Sequence, residues 1–233
     1  MLPSNARVYQ IAGTQHGGQP GLTTDAGACV NPRNPHSPAP ALRALVVALE
    51  RWVSEGILPP PSRVPRVRDG TLVEAGKVVF PEIPGFAVAR IANEVAPFGD
   101  WLAPKPEHQH AYRTLVPRVD ADDNEIAGIR LPDIAVPLAT YTGWNFYKSP
   151  FPEGKLCDRD GSYSPFLKTR VEREQRNDPR RSISERYTSQ EAYVERVREA
   201  AFTLARDGFL LPVDAAGYVL AAKTPALREL FAH

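Results

Sequence analysis

The chain is poor in several features that would have fixed its class at once. Of its 233 residues only two, Cys29 and Cys157, are cysteines. That excludes a disulfide-dense scaffold and leaves either a single bridge or two buried thiols. No charge of one sign dominates: 28 basic residues stand against 27 acidic ones, for a formal net charge of +1. This balance gives no electrostatic reason to expect nucleic acid or an anionic membrane as a partner. No apolar run approaches the ~18–20 residues that span a bilayer, and the first residues lack the charged-then-apolar pattern of a signal peptide. There is no internal repeat and no low-complexity run. What the chain has in excess is proline, 24 residues in all, about twice the average share. The prolines are scattered through the middle, which reads as long, stiff, irregular connections rather than a disordered tail. Hydrophobic residues make up 42%, enough for a packed core.

The organisation begins with a short strand over residues 7–13, Arg-Val-Tyr-Gln-Ile-Ala-Gly, running into the turn Thr14-Gln15-His16-Gly17. A loop rich in Gly, Pro and Asn follows to Pro40, long enough to suggest a function of its own. The next element reads as a helix. Leu42, Leu45, Val46, Leu49, Trp52 and Val53 fall at helical spacing as one apolar stripe, and Leu45, Leu49 and Trp52 are expected to face inward. Pro38 and Pro40 suit the first turn, Ser37 a cap, and Gly56 the stop. Residues 59–61 (Pro-Pro-Pro) open a connector with short candidate strands at 71–73 and 78–80. Two further strands, 114–119 and 134–140, are expected around the polar turn Asp120-Ala121-Asp122-Asp123-Asn124. The C-terminal part reads as helical. Ser182–Glu185 and Thr188–Glu191 have the form of capping boxes, the second opening a helix that carries Tyr193, Val197, Ala201 and Leu204 and ends at Gly208. Asp214 suits the start of a further short helix after Pro212.

A strand that delivers a histidine on a tight glycine-flanked loop, followed by a helix, is how an α/β-hydrolase presents its general base. Four ordered segments strengthen that reading: Ala-Gly-Thr-Gln-His-Gly at 12–17, Leu-Val-Pro-Arg-Val-Asp-Ala-Asp at 115–122, Ala-Gly-Ile-Arg-Leu-Pro-Asp-Ile-Ala-Val-Pro-Leu-Ala-Thr-Tyr-Thr-Gly-Trp-Asn at 127–145 and Gly-Ser-Tyr-Ser-Pro-Phe at 161–166. In this order they resemble the C-terminal half of a bacterial family of alpha/beta hydrolase domain-containing proteins, over almost the whole chain. The resemblance implies an α/β fold, namely the C-terminal part of a hydrolase core with its last core strand, His loop and helix over 1–58. A Pro-rich mixed β/α extension over 59–233 would follow, with short strands to about 150 and helices after. It also implies a reaction class, acyl-ester hydrolysis by a Ser-His-acid triad with His16 as the base. The nucleophile elbow G-x-S-x-G is missing, and the triad acid normally precedes the histidine, so both are expected on sequence upstream. By this reading the chain is a fragment or a truncated product, inactive alone; the alternative is a non-catalytic binding or accessory module.

Other residues are weighed against plainer roles. Ser162 follows a glycine, but bulky Tyr163 comes next and no strand leads into it, so it reads as a loop or cap residue. Nothing beside Cys157 would activate a thiolate. Asp25, close to His16 in sequence, reads as a cap or a solvated acid. His108 and His110, with Glu107, form an H-x-H pair, but no distant Cys/His pair completes a four-ligand site; no metal and no other cofactor are expected. Asp120, Asp122, Asp123, Asn124 and Glu125 resemble part of a calcium loop with the glycine and terminal glutamate out of place, so a hairpin turn is the better reading. The basic run Arg170, Arg173, Arg176, Arg180 and Arg181, interleaved with Glu172, Glu174 and Asp178, reads as a solvated helix surface. The segment 140–147 is dense in aromatics and hydroxyls. It reads either as a packing loop or as a pocket wall, in which Tyr141, Trp144 and Asn145 bind substrate and the segment approaches the His16 loop. The expected partners are a small-molecule ester in the intact enzyme and, through an unpaired strand edge, a second copy or the missing N-terminal half.

Overall fold

The computed structural model describes residues 3–16, 25–89, 100, 102–103 and 113–232, and everything below concerns those residues. The segment expected as the last core strand is extended but forms no regular ladder. Tyr9 bridges Arg63 and Ile11 bridges Ile129, both in parallel. Gln10 is the hinge between these neighbours: its N–H donates to the Arg63 carbonyl at 3.0 Å, and its carbonyl accepts from the Ile129 N–H at 2.7 Å. These bonds all use Val8, Gln10 and Ala12, whose backbone groups lie on one edge of the extended segment, and each neighbour stays alongside that edge for only a residue or two. Among the described residues the ladders are two antiparallel pairs. β1 (Leu72–Glu74) pairs with β2 (Leu115–Pro117), and β3 (Ala139–Tyr141) with β4 (Tyr163–Pro165).

The first helix, α1 (Ala39–Glu55), has the ends its sequence announces. Pro40 lies in its first turn and Gly56 closes it in the left-handed conformation at φ 71°. The Ser37 hydroxyl accepts from the Ala39 N–H at 3.3 Å. Its packing face is not the expected one. Ala41 and Ala44 are buried, Leu45 and Trp52 half-buried, and Leu42, Val46, Leu49 and Val53 exposed, Val53 to 82%. The reason is close approach: Ala41 sits in a core with Ile129, Leu131, Ala201, Leu204, Phe209, Leu210 and Ala215, and a small side chain lets the helix backbone come near. Of the residues expected inward, Leu45 packs against this core and Trp52 is half-buried, while Leu49 and the rest of the stripe face outward.

A second correction falls on residues 134–140. Pro132 opens a single turn, α2 (Pro132–Ala135), in which the Leu131 carbonyl accepts from Ile134 and Ala135, and only β3 is extended. Residues 78–80 form no strand, and a 3-10 turn (Ala75–Lys77) precedes them. The polar turn does close as expected: Val119 bridges Glu125, and the Asp120 carboxylate accepts from the Asp122 and Asn124 N–H groups at 2.9 and 3.0 Å.

The basic run is only partly a surface. α3 (Arg170–Gln175) is short and capped by a reciprocal Thr169–Glu172 box. Arg180 lies beyond it, 4% exposed, bound to Asp178 at 2.7 Å and donating to Thr140 Oγ1 and the Ser164 carbonyl at 2.9 Å each. A buried guanidinium persists only when its donors are all used in this way. α4 (Ile183–Arg186) has the expected Ser182–Glu185 box. α5 (Gln190–Arg206) is capped by Ser189, one residue later than expected, because the Ser189 hydroxyl takes the Ala192 N–H. It buries Tyr193, Val197, Ala201 and Leu204. α6 (Pro212–Ala222) packs on α5, and Asp214 in its first turn pairs with Arg43 of α1. α7 (Pro225–Arg228) ends the described helices. None is long and apolar enough to cross a membrane.

Candidate functional site

The extended segment ends at Ala12-Gly13, and its turn meets the loops 31–36, 142–145 and 161–162. Asn34 ties them together: its amide donates to the Gly13 carbonyl at 2.7 Å and to the Thr142 carbonyl at 2.9 Å. Two close approaches set the spacing. A Cβ at Gly161 would lie 2.0 Å from the Thr142 carbonyl oxygen, and one at Gly143 would lie 2.9 Å from that of Thr14. Only glycine lets these backbones touch. The Cys29–Cys157 disulfide fastens the same region across 128 residues of sequence. It settles the alternative left open by the sequence and leaves no thiol at either position.

His16 stands on the exposed tip of this turn. Its backbone N–H donates to the Arg159 carbonyl at 3.3 Å, and its Nε2 lies 3.5 Å from Arg159 Nη1. A guanidinium can only donate, so this contact suits a ring with its proton on Nδ1. The loop 142–143 runs beside Thr14, two residues before His16. Of the residues expected to bind substrate, Tyr141 and Trp144 line a common cavity. Asn145 is fully buried in the loop network, donating to the Asn31 and Gly161 carbonyls at 3.0 and 3.2 Å and accepting from the Asn31 and Phe146 N–H groups. His108, His110 and Glu107 lie outside the described residues.

Ser162 is also fully buried, and its hydroxyl donates to the Trp144 carbonyl at 2.8 Å while receiving Asn31 Nδ2 at 3.3 Å. Its proton is committed to a carbonyl, not to a base. Ser162→Ala is expected to cost about 1–2 kcal/mol, the usual consequence of stranding buried partners, and to lower the melting midpoint by a few degrees. A melt indistinguishable from wild type would refute this structural role.

A histidine–carboxylate pair that sequence reading missed lies just beneath. His36 Nδ1 is 2.9 Å from Asp133 Oδ2, and Nε2 is 3.1 Å from the Ala12 carbonyl. A carboxylate and a carbonyl only accept, so both contacts are made when both ring nitrogens carry protons. Burial pushes the Asp133 carboxyl up, but hydrogen bonds from His36 and Tyr218 and the charge of His36 outweigh it, and the group ionises below its ordinary range. With Nε2 occupied by Ala12, His36 is a clamp on the end of the extended segment. The 97 residues between the partners leave no local signal from which it could have been read.

Above the clamp lies a cavity of about 220 Å³, walled by Phe80, Val116, Tyr141, Trp144 and Leu156 and by two carboxylates, Asp123 and Glu125. Trp144 is steadied by rings on three sides, with centroids at 6.3 Å (Phe80), 5.7 Å (Phe86) and 5.6 Å (Phe146). Glu125 accepts from Gln10 Nε2 at 2.8 Å. Burial raises its carboxyl, while the Gly13 N–H, the Gln10 amide and the charge of His36 pull it back in part. Asp123 has no such help. It is 2% exposed, and neither carboxylate oxygen has a hydrogen-bond partner. Its backbone sits in the left-handed region at φ 61°. Burial, then the nearby charge of Asp120, push its carboxyl up to about 7, against the pull of Arg180. The sequence marks residue 123 as a turn position and says nothing of its burial. Among the described residues the only trio of metal-ligating side chains within reach of one another is Cys29, Cys157 and Asp160, whose sulfurs are consumed in the disulfide.

A family model described as "Alpha/beta hydrolase domain" matches residues 3–220. Searches of curated proteins and of solved structures returned no match.

Proposed function

The chain belongs to the alpha/beta hydrolase domain family, and from that premise we propose that it forms the histidine-bearing, substrate-binding part of an esterase-like serine hydrolase. In this reading His16 is the general base, the 220 Å³ cavity holds one side of a small ester against Tyr141 and Trp144, and Asn145 holds the wall in shape. The serine and the triad acid come from polypeptide other than the residues described here, since no G-x-S-x-G occurs in the sequence and the hydroxyl of Ser162 is spent on a carbonyl. The observation that carries the reading is the contact of Gly143 with Thr14. It brings the loop that carries Trp144 beside the segment that leads into His16, which supports the reading because a base acts next to the pocket it serves. The exposed Leu42, Val46, Leu49 and Val53 on α1 supply an apolar face of the kind a further layer of an α/β fold covers.

The purified chain is expected to bind phenyl acetate with a change in tryptophan fluorescence, neither to hydrolyse it nor to react with a fluorophosphonate probe, and to lose most of that binding in Trp144→Ala. Loss of binding and of thermal stability in equal measure would make Trp144 a packing residue. Failure to bind the ester would overturn the pocket, and labelling of the chain by the probe would overturn the division of labour.

A further inference from the structure

The pocket wall contains a feature that a neutral ester does not explain. A carboxylate 2% exposed with both oxygens unpartnered is among the costlier arrangements in a protein interior. Among the described residues the cation acting on Asp123 is Arg180, whose guanidinium is already spent on Asp178, Thr140 and the Ser164 carbonyl. Asp123 lines the same cavity as a second carboxylate, Glu125, and as the rings of Tyr141 and Trp144. Carboxylate oxygens offer lone pairs for N–H donors, and aromatic faces attract positive charge. Among the described residues no third metal-ligating side chain joins Asp123 and Glu125, and the apolar, aromatic wall suits a cation that carries hydrocarbon.

We propose that the cavity binds a small primary ammonium, toward which the buried Asp123 side chain turns so that its carboxylate accepts from the ammonium N–H groups, the hydrocarbon part lying against Tyr141 and Trp144. At about 220 Å³ the space falls below the ~300–1,000 Å³ of drug-sized sites, so the occupant is an amine of few heavy atoms or the amine end of a larger ligand. The proposal rests on the reading of this cavity as a substrate pocket and names the substrate class as esters that carry an amino group. It does not require that the chain be catalytic. Glu125 adds negative field, but Gln10 and Gly13 already hold it, so Asp123 carries most of the recognition.

The test compares benzylamine with benzyl alcohol, its neutral analogue, by calorimetry and tryptophan fluorescence at pH 8, on the wild-type chain and on Asp123→Asn. Asparagine tolerates the left-handed backbone and removes only the charge, so the variant is expected to fold, which a melt confirms. Benzylamine should bind the wild type at least tenfold more tightly than benzyl alcohol. Asp123→Asn should erase that preference by weakening benzylamine at least tenfold, and Glu125→Gln should reduce it less. Equal affinity for the two ligands, or an amine preference that survives in Asp123→Asn, overturns the proposal, as does no binding of benzylamine at millimolar concentration. Binding of phenyl acetate without any amine preference sinks the ammonium and keeps the ester pocket, whereas binding of none of the three sinks both.

Discussion

Replacing Cys29 and Cys157 together by serine is expected to lower the melting midpoint by about 10–20 °C, the largest stability effect in the molecule. The two cysteines are 128 residues apart. In the chain-entropy account a closed loop of ~100 residues contributes about 4–5 kcal/mol by restricting the unfolded ensemble, and a longer one slightly more. For a chain of this size each kcal/mol moves the midpoint by roughly 2–4 °C. The bridge also has local work in the native state. Cys157 N–H donates to the Asn145 carbonyl at 2.8 Å, and Val30 N–H to that of Phe146 at 2.8 Å, so the two strands of the loop network are held together on either side of the sulfurs. Asn145 and Ser162 depend on that spacing, and through the Ser162–Trp144 hydrogen bond so does the cavity wall. The double variant should therefore bind pocket ligands more weakly even below its melting point. A midpoint within about 3 °C of wild type, in a sample whose bridge has been verified by mass, would contradict this account.

The elements legible in the sequence are those whose causes lie within a few residues. Pro40 and Gly56 bound α1 because one lacks an N–H where none is needed and the other accepts a left-handed backbone. The stripe Tyr193, Val197, Ala201, Leu204 is buried because its period is that of the helix. The 120–124 turn closes on the Asp120 carboxylate, again a local device. The same periodicity fails on α1, since a helix with both an alanine face and a leucine–valine face does not say which neighbour it will meet. Ala41 and Ala44 won the contact. Residues 134–140 depart from the expected strand because a run of apolar residues after a proline suits a strand and a single helical turn equally well, and here Ile134 and Ala135 close a turn on the Leu131 carbonyl. In the site, the aromatic density of 140–147 was legible as a pocket wall or a packing loop. His36 with Asp133, and Arg180 with Asp178 and Thr140, were not. His36–Asp133 and Arg180–Thr140 join residues 97 and 40 positions apart, and Arg180–Asp178, though only two apart, gives no sign in the sequence that it is buried; composition and spacing carry no signal for either.

Asp123 supplies the other large effect, and it is read from pH. In the folded chain its carboxyl is raised to about 7, with burial the main cause; in the unfolded chain it takes the ordinary value of ~3.9. Between these values the folded state binds more protons, so stability falls as pH rises from about 4 to about 7 and stays low above. The difference corresponds to a ceiling of about 4 kcal/mol. Other groups act in the opposite sense. Hydrogen bonds from Arg173 hold Glu185 down to about 2, so its contribution is lost in acid, as pH falls below ~4. These terms are shared by wild type and Asp123→Asn, and cancel when the two are subtracted. The two proteins should therefore be nearly equally stable near pH 3.5; the asparagine variant should be the more stable by about 1.5 kcal/mol at pH 5 and by up to about 4 kcal/mol at pH 8. Asp123→Gly should exceed it, since glycine also removes the cost of a side chain at φ 61°. Urea unfolding of the three proteins at half-unit steps of pH measures this directly. Stability curves that run parallel from pH 5 to 8 would show that the Asp123 carboxyl ionises as it would in water, and would remove the buried charge on which the ammonium site depends.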